Sequence, residues 1–461
     1  MRLSAFNHYV TAYPSQHETL IYNAFSGALV VVDEHEIAVL RQLDAGCDVA
    51  GWDPDWADAD VGVLVESRAA EERHYREWFE QYRSSSDLSL MISTTFACNF
   101  ACTYCCQEKT LNGRSMSADT AQRIVAWIAA RAREVGSHKI DIDFVGGEPL
   151  LQPGRIEEIV SGTRQALAAD NIEIVFGLIT NGLFMTPRRV EAWLPLGLRR
   201  AKVTLDGDET THFLTRVSKR HEDTFATIFA NVVAASHLIE IVVNGNYQES
   251  TVRGFAPLIK KLYAAGLRPG TQVRFTPALA GLDSGPEAGS GSCHWSDSNP
   301  EHMLALSDQA RRAGFDPGDP IDAGGCGFHW RHHYAIDPEG RLYKCPGFYG
   351  HPEWSIGEVN TGLGARYHGL VDLHPERACG ECGNRPNCAG GCVANEWLRV
   401  GRAEGVGCEW GYFETMKSEL IKRKHALAVH KNAENALAPF LRPHETLFVI
   451  DAMAGQDAAN A

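Results

Sequence analysis

The sequence predicts an α/β fold, because six short apolar segments alternate with helical stretches across residues 88–277. The segments are LSLMIST, KIDIDFV, IEIVFGLIT, RAKVTLD, IEIVVNG and QVRFTPA. This alternation is typical of a parallel barrel or sheet, whose active site gathers at the C-terminal ends of the strands. A second observation is that the cysteines form two groups with a cysteine-free stretch between them, which predicts two separate metal-binding regions.

The pattern of apolar runs in residues 1–70 predicts a small separate module. The apolar runs HETLIYNAF and GALVVVDE flank Ser26 and Gly27, a combination typical of a hairpin. Ile37, Leu40 and Leu43 then recur at helical spacing, and a short helix and a strand are expected before residue 68. The order of strand, strand, helix, helix and strand is winged-helix-like. Residues 71–87 are expected to form a polar linker helix.

The composition disfavours several classes of function. The chain has 461 residues and a net charge of -15, so we expect no binding to nucleic acid or to anionic membranes. It has no apolar run long enough to span a membrane and no signal-peptide pattern at its N-terminus. We therefore expect a cytoplasmic protein whose 13 cysteines are metal ligands, catalytic groups or buried thiols rather than disulfides.

Four cysteines crowd the segment TTFACNFACTYCCQE, which follows the first predicted strand. Cys98, Cys102 and Cys105 have the spacing C-x3-C-x2-C, and Cys106 lies outside it. Three thiolates can hold three irons of a [4Fe–4S] cluster and leave the fourth iron open. Buried thiols or a zinc site are alternatives, although zinc needs a fourth ligand and Cys106 is awkwardly placed to provide it. We expect Cys106 to be a small buried residue near the cluster.

The surroundings of these cysteines resemble the radical S-adenosylmethionine (SAM) superfamily. The matching residues are the three spaced cysteines, Tyr104 and the turn made of Gly146, Gly147, Glu148 and Pro149. The TNG segment at Thr180–Gly182, and VTLDG followed by His212 and Arg216, also stand where the superfamily has strand-end motifs. The resemblance spans roughly residues 88–277 and implies a partial (β/α)6 barrel.

The resemblance also implies roles for these residues. The open iron would chelate the amino and carboxylate groups of SAM, and one electron would cleave SAM to a 5′-deoxyadenosyl radical that abstracts hydrogen from a C–H bond. The glycines of the GGEP turn would allow close backbone approach, and Glu148 would counter the positive charge of the methionine amine. Thr180, Asn181 and Arg216 are the other expected SAM contacts. No catalytic residue beyond the cluster ligands is assigned.

The second group of cysteines has its own pattern. Cys326, Gly340 and Cys345 give C-x13-G-x4-C, and the cysteines that follow give C-x2-C-x5-C-x3-C-x15-C. This pattern resembles the SPASM extension of radical SAM enzymes that act on peptides and proteins, and a zinc ribbon at 379–392 is the alternative. The histidines of FHWRHHY, at positions 329, 332 and 333, are expected to be structural.

The SPASM resemblance implies two auxiliary [4Fe–4S] clusters, which would take an electron from the product side. The outer cluster would be held by Cys379, Cys382, Cys388 and Cys408. The inner cluster would be held by Cys326, Cys345 and Cys392. The family's further inner ligand usually precedes Cys326 by a few residues, where DPGDPIDAGG has no cysteine. We expect Cys293 to complete the site. The alternatives are an open iron that binds a substrate thiolate, and a Cys293 thiol that donates hydrogen to a product radical.

These patterns divide the chain into expected domains. The radical SAM partial barrel would cover 88–277, a Gly- and Ser-rich bridging insertion 278–319, and the SPASM domain 320–412. A C-terminal helix and tail would cover 413–461. The N-terminal segment LIYNAFSGALVVVDEHEIAVLRQL resembles the peptide-recognition element of maturases of ribosomally synthesised, post-translationally modified peptides. That element adds a leader peptide as a strand to a sheet edge, although a module that only packs is an alternative.

The expected function is therefore that of a radical SAM/SPASM peptide maturase, which forms a thioether or carbon–carbon crosslink or a related modification. Its partners would be a precursor peptide with a leader sequence and a low-potential electron donor of the flavodoxin or ferredoxin type. One alternative is an anaerobic sulfatase-maturing enzyme, whose family has Asp where Pro346 follows Cys345 here. The other alternative is a noncatalytic iron–sulfur electron-transfer scaffold. The intact cysteine motif and the GGEP turn argue against it.

Overall fold

Ten strands of the described chain form one continuous sheet in the computed structural model. The structure describes residues 1–47, 49, 61–105, 107, 110–220, 223–277, 300–318, 321, 323–380, 382–394, 396 and 410–434. The expectations for Cys106, Cys293 and Cys408, and for the tail after residue 434, fall outside these ranges. No helix of the described residues combines the length and apolar character that crossing a membrane requires.

The N-terminal module is built on a three-stranded antiparallel sheet. Its strands, in the order in which they pair, are β2 (Asn7–Thr11), β3 (Glu18–Asn23) and β4 (Leu29–Asp33). The predicted hairpin is thus present as β3 and β4, whereas β2 was not predicted. A smaller antiparallel pair joins β1 (Arg2–Leu3) to β5 (Leu64–Val65). The second helix of the expected winged-helix-like order falls largely on residues outside the described ranges.

Helix α1 (Glu34–Asp44) follows β4 and begins with a capping box. The Asp33 carboxylate accepts from the Glu36 backbone N–H at 2.8 Å, and the Glu36 carboxylate accepts from the Asp33 N–H at 2.9 Å. This exchange satisfies two N–H groups that the first turn of a helix leaves unpaired. Leu40 at the centre of the helix is fully buried against the module's sheet, as the helical spacing predicted.

Helix α2 (Arg68–Arg83) is the segment that we expected to be a polar linker. Its N-cap is Ser67, whose hydroxyl accepts from the Ala70 N–H at 3.1 Å. One face is buried and aromatic: Tyr75 and Phe79 stack with their ring centroids 5.9 Å apart, and Phe79 meets His329 at 5.5 Å. The helix therefore packs between the N-terminal module and the C-terminal cysteine region.

The central part of the chain forms the six parallel strands that the sequence predicts. In chain order they are β6 (Leu88–Ser93), β8 (Lys139–Val145), β9 (Glu173–Thr180), β10 (Leu198–Thr204), β12 (Glu240–Tyr247) and β13 (Gln272–Pro277), and sequence neighbours pair side by side. Two short strands, β7 (Phe100–Cys102) and β11 (Arg216–Ser218), pair separately and antiparallel. The α/β fold class with a large parallel sheet is confirmed.

Helices connect the parallel strands. They are α3 (Ala118–Val135), α4 (Pro153–Ala166), α5 (Pro187–Trp193), α6 (Glu209–Thr215), α7 (Phe225–Ala235) and α8 (Phe255–Ala264). Helix α3 shows why such segments are helical: Ser117 caps its first turn, Ile124 and Ile128 face the core, and Gly136 ends it with a φ of 65°. The connections leave the C-terminal ends of the strands at one edge of the sheet.

The C-terminal region continues the same sheet, which the sequence did not predict. β14 (His333–Ile336) pairs parallel to β6, and β15 (Arg341–Tyr343), β16 (Gly357–Glu358) and β17 (Gly362–Leu363) follow antiparallel. The DPEG turn between β14 and β15 places Gly340 at a φ of 88°, a backbone conformation that favours glycine. The remaining helices are α9 (Pro300–Arg312), α10 (Ala365–Val371), α11 (Arg385–Cys388) and α12 (Trp410–Glu434), and α12 includes the closing helix predicted there.

Arg385 joins the C-terminal cysteine region to the N-terminal half. Its guanidinium donates to Glu72 of α2 at 2.6 Å and lies over the rings of Tyr75 and Phe6, at 4.9 and 5.3 Å from their centroids. The Tyr22 hydroxyl adds a hydrogen bond to the Ile321 carbonyl at 2.6 Å. The module sheet, α2 and the cysteine region are therefore in direct contact.

We predict that Arg385→Ala lowers the free energy of unfolding by about 2 kcal/mol, because it removes both the ion pair with Glu72 and the packing of the guanidinium on Phe6 and Tyr75. Arg76→Ala is the matched control, since Arg76 also donates to Glu72, at 2.8 Å, but is 59% exposed. Its loss should cost less than about 1 kcal/mol. Urea denaturation of both variants measures the difference. If both variants lost the same unfolding free energy, the burial of Arg385 would add nothing to the strength of its ion pair with Glu72.

Candidate functional site

Cys98, Cys102 and Cys105 lie at the C-terminal edge of the parallel sheet, in the segment that leaves β6. Cys102 ends β7 and stands opposite Arg216 of β11. The Cys105 N–H donates to the Cys102 carbonyl at 3.2 Å, so these two cysteines share one turn. None of the ten cysteines that the structure describes is in a disulfide. The three cysteines therefore stand outside any disulfide at the C-terminal ends of the strands, as predicted.

The GGEP turn packs directly against the Cys98 segment. The Gly147 and Glu148 N–H groups donate to the carbonyls of Thr95 and Ala97, at 3.0 and 2.8 Å. A Cβ on Gly147 would lie 2.1 Å from the Ala97 carbonyl oxygen, and one on Gly146 would lie 2.5 Å from that of Thr95. Both distances are far below van der Waals contact. The close approach predicted for these glycines is therefore made, in this structure, to the chain's own cysteine segment.

Glu148 ties the GGEP turn to the end of β9. Its side chain is fully buried, and one carboxylate oxygen accepts from the Thr180 hydroxyl at 2.7 Å and the Leu150 N–H at 2.9 Å. The other oxygen accepts from the Asn181 N–H at 2.8 Å. Burial raises the pKa of this carboxyl group, and the three hydrogen bonds oppose that rise. The contact that we expect between Glu148 and the methionine amine stays a prediction, and a carboxylate with three donors can accept one more.

A buried polar network surrounds the last turn of the cysteine segment. Asp206, which follows β10, accepts from the hydroxyl of Tyr104, from the Thr215 hydroxyl at 3.1 Å and from the Asn246 N–H at 2.7 Å. The Asn246 side chain donates to the Tyr104 hydroxyl at 3.0 Å. Tyr104 precedes Cys105, so the network fixes the turn that carries this cysteine. Sequence reasoning noted Tyr104 and VTLDG but missed Thr215 and Asn246.

Arg216 lies within this network as a buried cation. It is 8% exposed, its guanidinium lies 5.3 Å from the centre of the Phe100 ring, and it faces Tyr104, Cys102 and Asp206. Burial raises the pKa of the Cys102 thiol, and the nearby Arg216 charge lowers it. Arg216 is thus placed to stabilise a thiolate at Cys102.

Four polar atoms in or near the cysteine segment are buried without a hydrogen-bond partner among the described residues. They are Oγ1 of Thr94, Nδ2 of Asn99, Nε2 of His212 and Nε of Arg216. Asn99 otherwise accepts from the Asn181 side chain at 2.7 Å, and burial lowers the pKa of His212 to about 3, so His212 is neutral. Unpaired buried donors are costly in a folded protein. A polar ligand at the strand ends would satisfy them, so these residues fit the bound SAM that the sequence implies.

Two of the cysteine sulfurs accept hydrogen bonds from backbone N–H groups. The Cys98 sulfur accepts a hydrogen bond from the Phe100 N–H at 3.4 Å, and the Cys345 sulfur accepts from the Gly347 N–H at 3.3 Å. Hydrogen bonds of this kind tune iron–sulfur ligands. Within the described ranges, no group of three or more His, Cys, Asp or Glu residues is arranged to hold one metal ion.

The described cysteines of the C-terminal region lie on three segments, and those carrying Cys326 and Cys345 both pack against the third. Around Cys326, the Gly324 N–H donates to the Pro386 carbonyl at 2.8 Å, and a Cβ on Gly325 would be 3.2 Å from the Ala389 side chain. After Cys345, a Cβ on Gly347 would be 3.1 Å from the Ala394 side chain. The segments carrying Cys326 and Cys345 therefore both border residues 386–394. Cys392 of the expected inner set lies in that stretch.

The four cysteines at 379–392 follow one another through tight turns. The Cys382 N–H donates to the Cys379 carbonyl at 3.1 Å, and the Cys388 N–H donates to the Asn384 carbonyl at 2.9 Å. Positive φ angles occur at Gly380, Ala389, Gly390 and Gly391. The backbone reverses repeatedly here, which allows closely spaced cysteines to approach a common centre. Whether each holds iron, and in which cluster, stays a prediction.

The histidines of the FHWRHHY segment are packed into the fold, each with its own neighbours. His329 meets Phe79, and His333 pairs with the Ser89 hydroxyl at 2.9 Å across β6 and β14. Burial lowers the pKa of both to about 3 and that of His332 to about 4. These contacts agree with the structural role that we expected for them.

Lys344 is a functional candidate that sequence reasoning missed. It lies at the end of β15, immediately before Cys345, and is fully buried. Its ammonium donates to the Trp330 carbonyl and, at 3.2 Å, to the His333 carbonyl. Lysine is normally exposed, so no signal in the sequence distinguished this one.

Comparison with known proteins agrees with this geometry. A family model described as the Radical SAM superfamily matches residues 92–246, and a search of curated protein sequences finds no significant match. The structure of native anSMEcpe with bound AdoMet and Cp18Cys peptide is 18% identical, with 74% of this chain and 99% of that chain covered and a TM-score of 0.58. Streptococcus suis SuiB bound to precursor peptide SuiA is 13% identical, with 88% of this chain and 99% of that chain covered and a TM-score of 0.50. At these low identities the TM-scores show a shared fold and no more. The family match confirms the resemblance to the radical SAM superfamily that the sequence indicated.

We predict that Gly147→Ala displaces the Cys98 segment, because its Cβ would lie 2.1 Å from the Ala97 carbonyl. The expected result is a loss of about 2 kcal/mol in unfolding free energy and a clear fall in iron bound after anaerobic reconstitution. Gly154→Ala in α4 is the matched control, since its Cβ would meet nothing within 4 Å. Iron assay and thermal unfolding measure both effects. Wild-type iron content in Gly147→Ala would contradict the steric explanation.

Proposed function

We propose, from the premise that residues 92–246 form a radical SAM domain, that this protein is a SAM-cleaving peptide maturase. The observation that carries the proposal is that the three spaced cysteines, the GGEP turn and the buried Arg216 side chain meet at one edge of the parallel sheet. The proposed reaction begins with hydrogen abstraction from a precursor peptide. It ends in a thioether or carbon–carbon crosslink or a related modification.

Cys98, Cys102 and Cys105 would hold the SAM-binding [4Fe–4S] cluster. When bound with SAM, that cluster supplies the electron that makes a 5′-deoxyadenosyl radical. The chain's own residues position and shield this chemistry. Glu148 fixes the GGEP turn to β9, and the Asp206 network fixes the turn before Cys105. The Arg216 Nε and Asn99 Nδ2 groups, which have no partner among the described residues, are proposed donors to SAM. Thr180 and Asn181 at the end of β9 are retained as further proposed contacts.

The finer architecture is part of the same proposal. We propose that the six parallel strands form a partial (β/α)6 barrel and that residues 320–412 form a SPASM domain with two auxiliary clusters. Support comes from the packing of the Cys326 and Cys345 segments against residues 386–394. Cys379, Cys382 and Cys388 would belong to the outer cluster. Cys408 and Cys293 are retained as proposed ligands from the sequence alone.

The N-terminal module is proposed to bind the leader of the precursor peptide. β2 and β4 are the edge strands of its three-stranded sheet, and a sheet edge can accept an added strand. A cleft of about 410 Å³ lies between β2, β3 and α1, with Tyr9, Thr19 and Arg41 in its wall. The anSMEcpe and SuiB structures contain bound peptides, which is consistent with a peptide as the substrate here. The reducing partner is proposed to be a flavodoxin or ferredoxin.

SAM cleavage tests the enzymatic part of this proposal. After anaerobic reconstitution with iron and sulfide, dithionite and SAM should yield 5′-deoxyadenosine, detected by liquid chromatography. Replacing Cys98, Cys102 or Cys105 by Ala should reduce the yield to that of iron-free protein, because each is a proposed cluster ligand. Cys47→Ala and Cys106→Ala are the controls, since neither belongs to the spaced motif, and both should retain cleavage.

A fully loaded wild-type protein that makes no 5′-deoxyadenosine would exclude both the maturase and the sulfatase-maturing alternative. It would favour the noncatalytic iron–sulfur scaffold instead. Peptide specificity is tested separately, by incubating the loaded enzyme with precursor candidates encoded beside its gene. The expected result is a mass loss of two hydrogens in the peptide, confined to peptides that carry their leader. Equal modification of leaderless peptides would remove the proposed role of the N-terminal module.

A further inference from the structure

The inner face of the parallel sheet, which the helices do not cover, carries Lys202 and Arg274. On the covered face, Phe275 of β13 meets Phe255 of α8, with 5.7 Å between the ring centroids. Side chains alternate along a strand, so the neighbouring Arg274 lies on the inner face. Lys202 of β10 has the same orientation, because the register aligns it through β12 with Gln272 of β13. Both cations are exposed to solvent.

Ion pairs occupy the part of the inner face that lies nearer the N-terminal ends of the strands. Arg200 of β10 donates to Asp141 at 2.6 Å and to Asp143 at 2.8 Å, both on β8. The pairing crosses β9 at Gly177, where a Cβ would lie 2.5 Å from the Asp143 carboxylate and 2.7 Å from Cγ of Arg200. Arg200 therefore uses both carboxylates, and Lys202 lies two residues closer to the C-terminal edge.

Lys202 and Arg274 have no counter-charge of their own. Within the described ranges, neither side chain forms a hydrogen bond or an ion pair. Arg274 lies beside Gly318, where a Cβ would be 3.1 Å from its Nε, and the nearby Asp316 carboxylate accepts from the Gly318 N–H at 2.8 Å. Desolvation lowers the pKa of Lys202, the charge of Arg274 lowers it further, and Asp143 opposes both. An anion between the two like charges would relieve their repulsion.

The two cations lie close to the network that holds the Cys105 turn. Asp206 of that network follows β10, four residues after Lys202. Arg274 aligns through β12 with Thr204, two residues before Asp206. At about 3.3 Å per residue, the backbone of Arg274 is about 7 Å below the level of Asp206. A group bound by the two cations would therefore lie beside the proposed site of SAM cleavage.

We propose that Lys202 and Arg274 form a carboxylate-binding site that selects a precursor peptide by an acidic group near its reacting residue. This inference rests on the proposed function for the identity of the substrate, and it adds a chemical feature of that substrate. Lysine supplies a point charge and arginine a planar pair of donors, a combination that suits a carboxylate. Their strands are two spacings apart, about 10 Å, which two long side chains can close around one carboxylate.

The binding test uses the full-length protein, reconstituted anaerobically and incubated with SAM. The probe is N-acetylglutamic acid α-amide, whose side-chain carboxylate is its one charge, and N-acetylglutamine α-amide is the neutral comparison. Saturation-transfer NMR measures both dissociation constants. The acidic probe should bind about tenfold more tightly, because hydrogen bonds to a charged group are stronger than those to a neutral one. The measurement is repeated on iron-free protein, since both cations belong to the chain itself.

Variants separate the site from the fold. Lys202→Met and Arg274→Met should each weaken binding of the acidic probe about tenfold and leave the neutral probe unchanged, whereas Lys202→Arg should retain binding. Lys139→Met is the matched control, because Lys139 lies on the same face but at the N-terminal end of β8, 3.9 Å from Glu173. Neither Met variant at the site should lower the unfolding temperature, because each removes one of two like charges.

The peptide test uses the precursor that the loaded enzyme modifies. Its Asp and Glu residues are replaced singly by Asn and Gln, and its C-terminus is amidated in a separate peptide. One of these changes should lower kcat/KM about tenfold with the wild-type enzyme and have a smaller effect with Lys202→Met. The change that does so shows whether the bound carboxylate is a side chain or the C-terminus.

Each outcome bears on one of the two proposals. Equal binding of the two probes, or wild-type binding of the acidic probe by both Met variants, would overturn the inference. A precursor modified at the wild-type rate after loss of every carboxylate would also overturn it, while the maturase proposal would stand. Specific binding of the acidic probe by a protein that modifies no peptide would support the carboxylate site and count against the maturase proposal.

Discussion

The parallel pairing of β6 with β14 is the constraint on which the rest of the molecule depends. It aligns Ser89 with His333 and Ile92 with Ile336, and the Ser89 hydroxyl and His333 ring add a hydrogen bond of 2.9 Å across the two strands. β6 leads into the segment with Cys98, and the β14–β15 hairpin lies between Cys326 and Cys345. The backbone ladder therefore fixes the separation of the two cysteine regions. Electron transfer between two centres depends on such a separation, and a flexible linker would not hold it constant.

The six central strands were predictable because each is a local apolar run, buried by helices and neighbouring strands. The segment that forms β6, for example, reads LSLMIST and buries Leu88, Leu90 and Ile92. The strands β14–β17 were not predictable in this way. They have two to four residues each. Only β14 pairs with β6, which lies more than two hundred residues earlier in the chain, and β15–β17 are added to β14 in turn. β2 was missed because NHYVT is polar at its start and lies at a sheet edge.

The candidate site shows the same division between local pattern and long-range contact. Cysteine spacing, the GGEP turn and the TNG segment are local, so they were found in the sequence. The hydrogen-bond partners of Glu148 were not found in the sequence, because Thr180 and Asn181 reach its carboxylate only when β8 and β9 pair. Arg385 and Lys344 carry side chains that are usually exposed. Their burial depends on elements distant in the chain, and composition gives no sign of it.

The contacts of Arg385 have a consequence for engineering the protein. Domain exchange between related enzymes is a common route to new specificity, and it assumes that the exchanged module is autonomous. Here Arg385 lies between Cys382 and Cys388, yet it rests on Phe6, Tyr75 and Glu72 of the N-terminal half. A transplanted N-terminal module would leave this guanidinium facing foreign side chains beside the cysteines. The natural unit of exchange is therefore discontinuous: the N-terminal half must be moved together with Arg385 and with the other C-terminal residues that it contacts, such as Ile321 and His329.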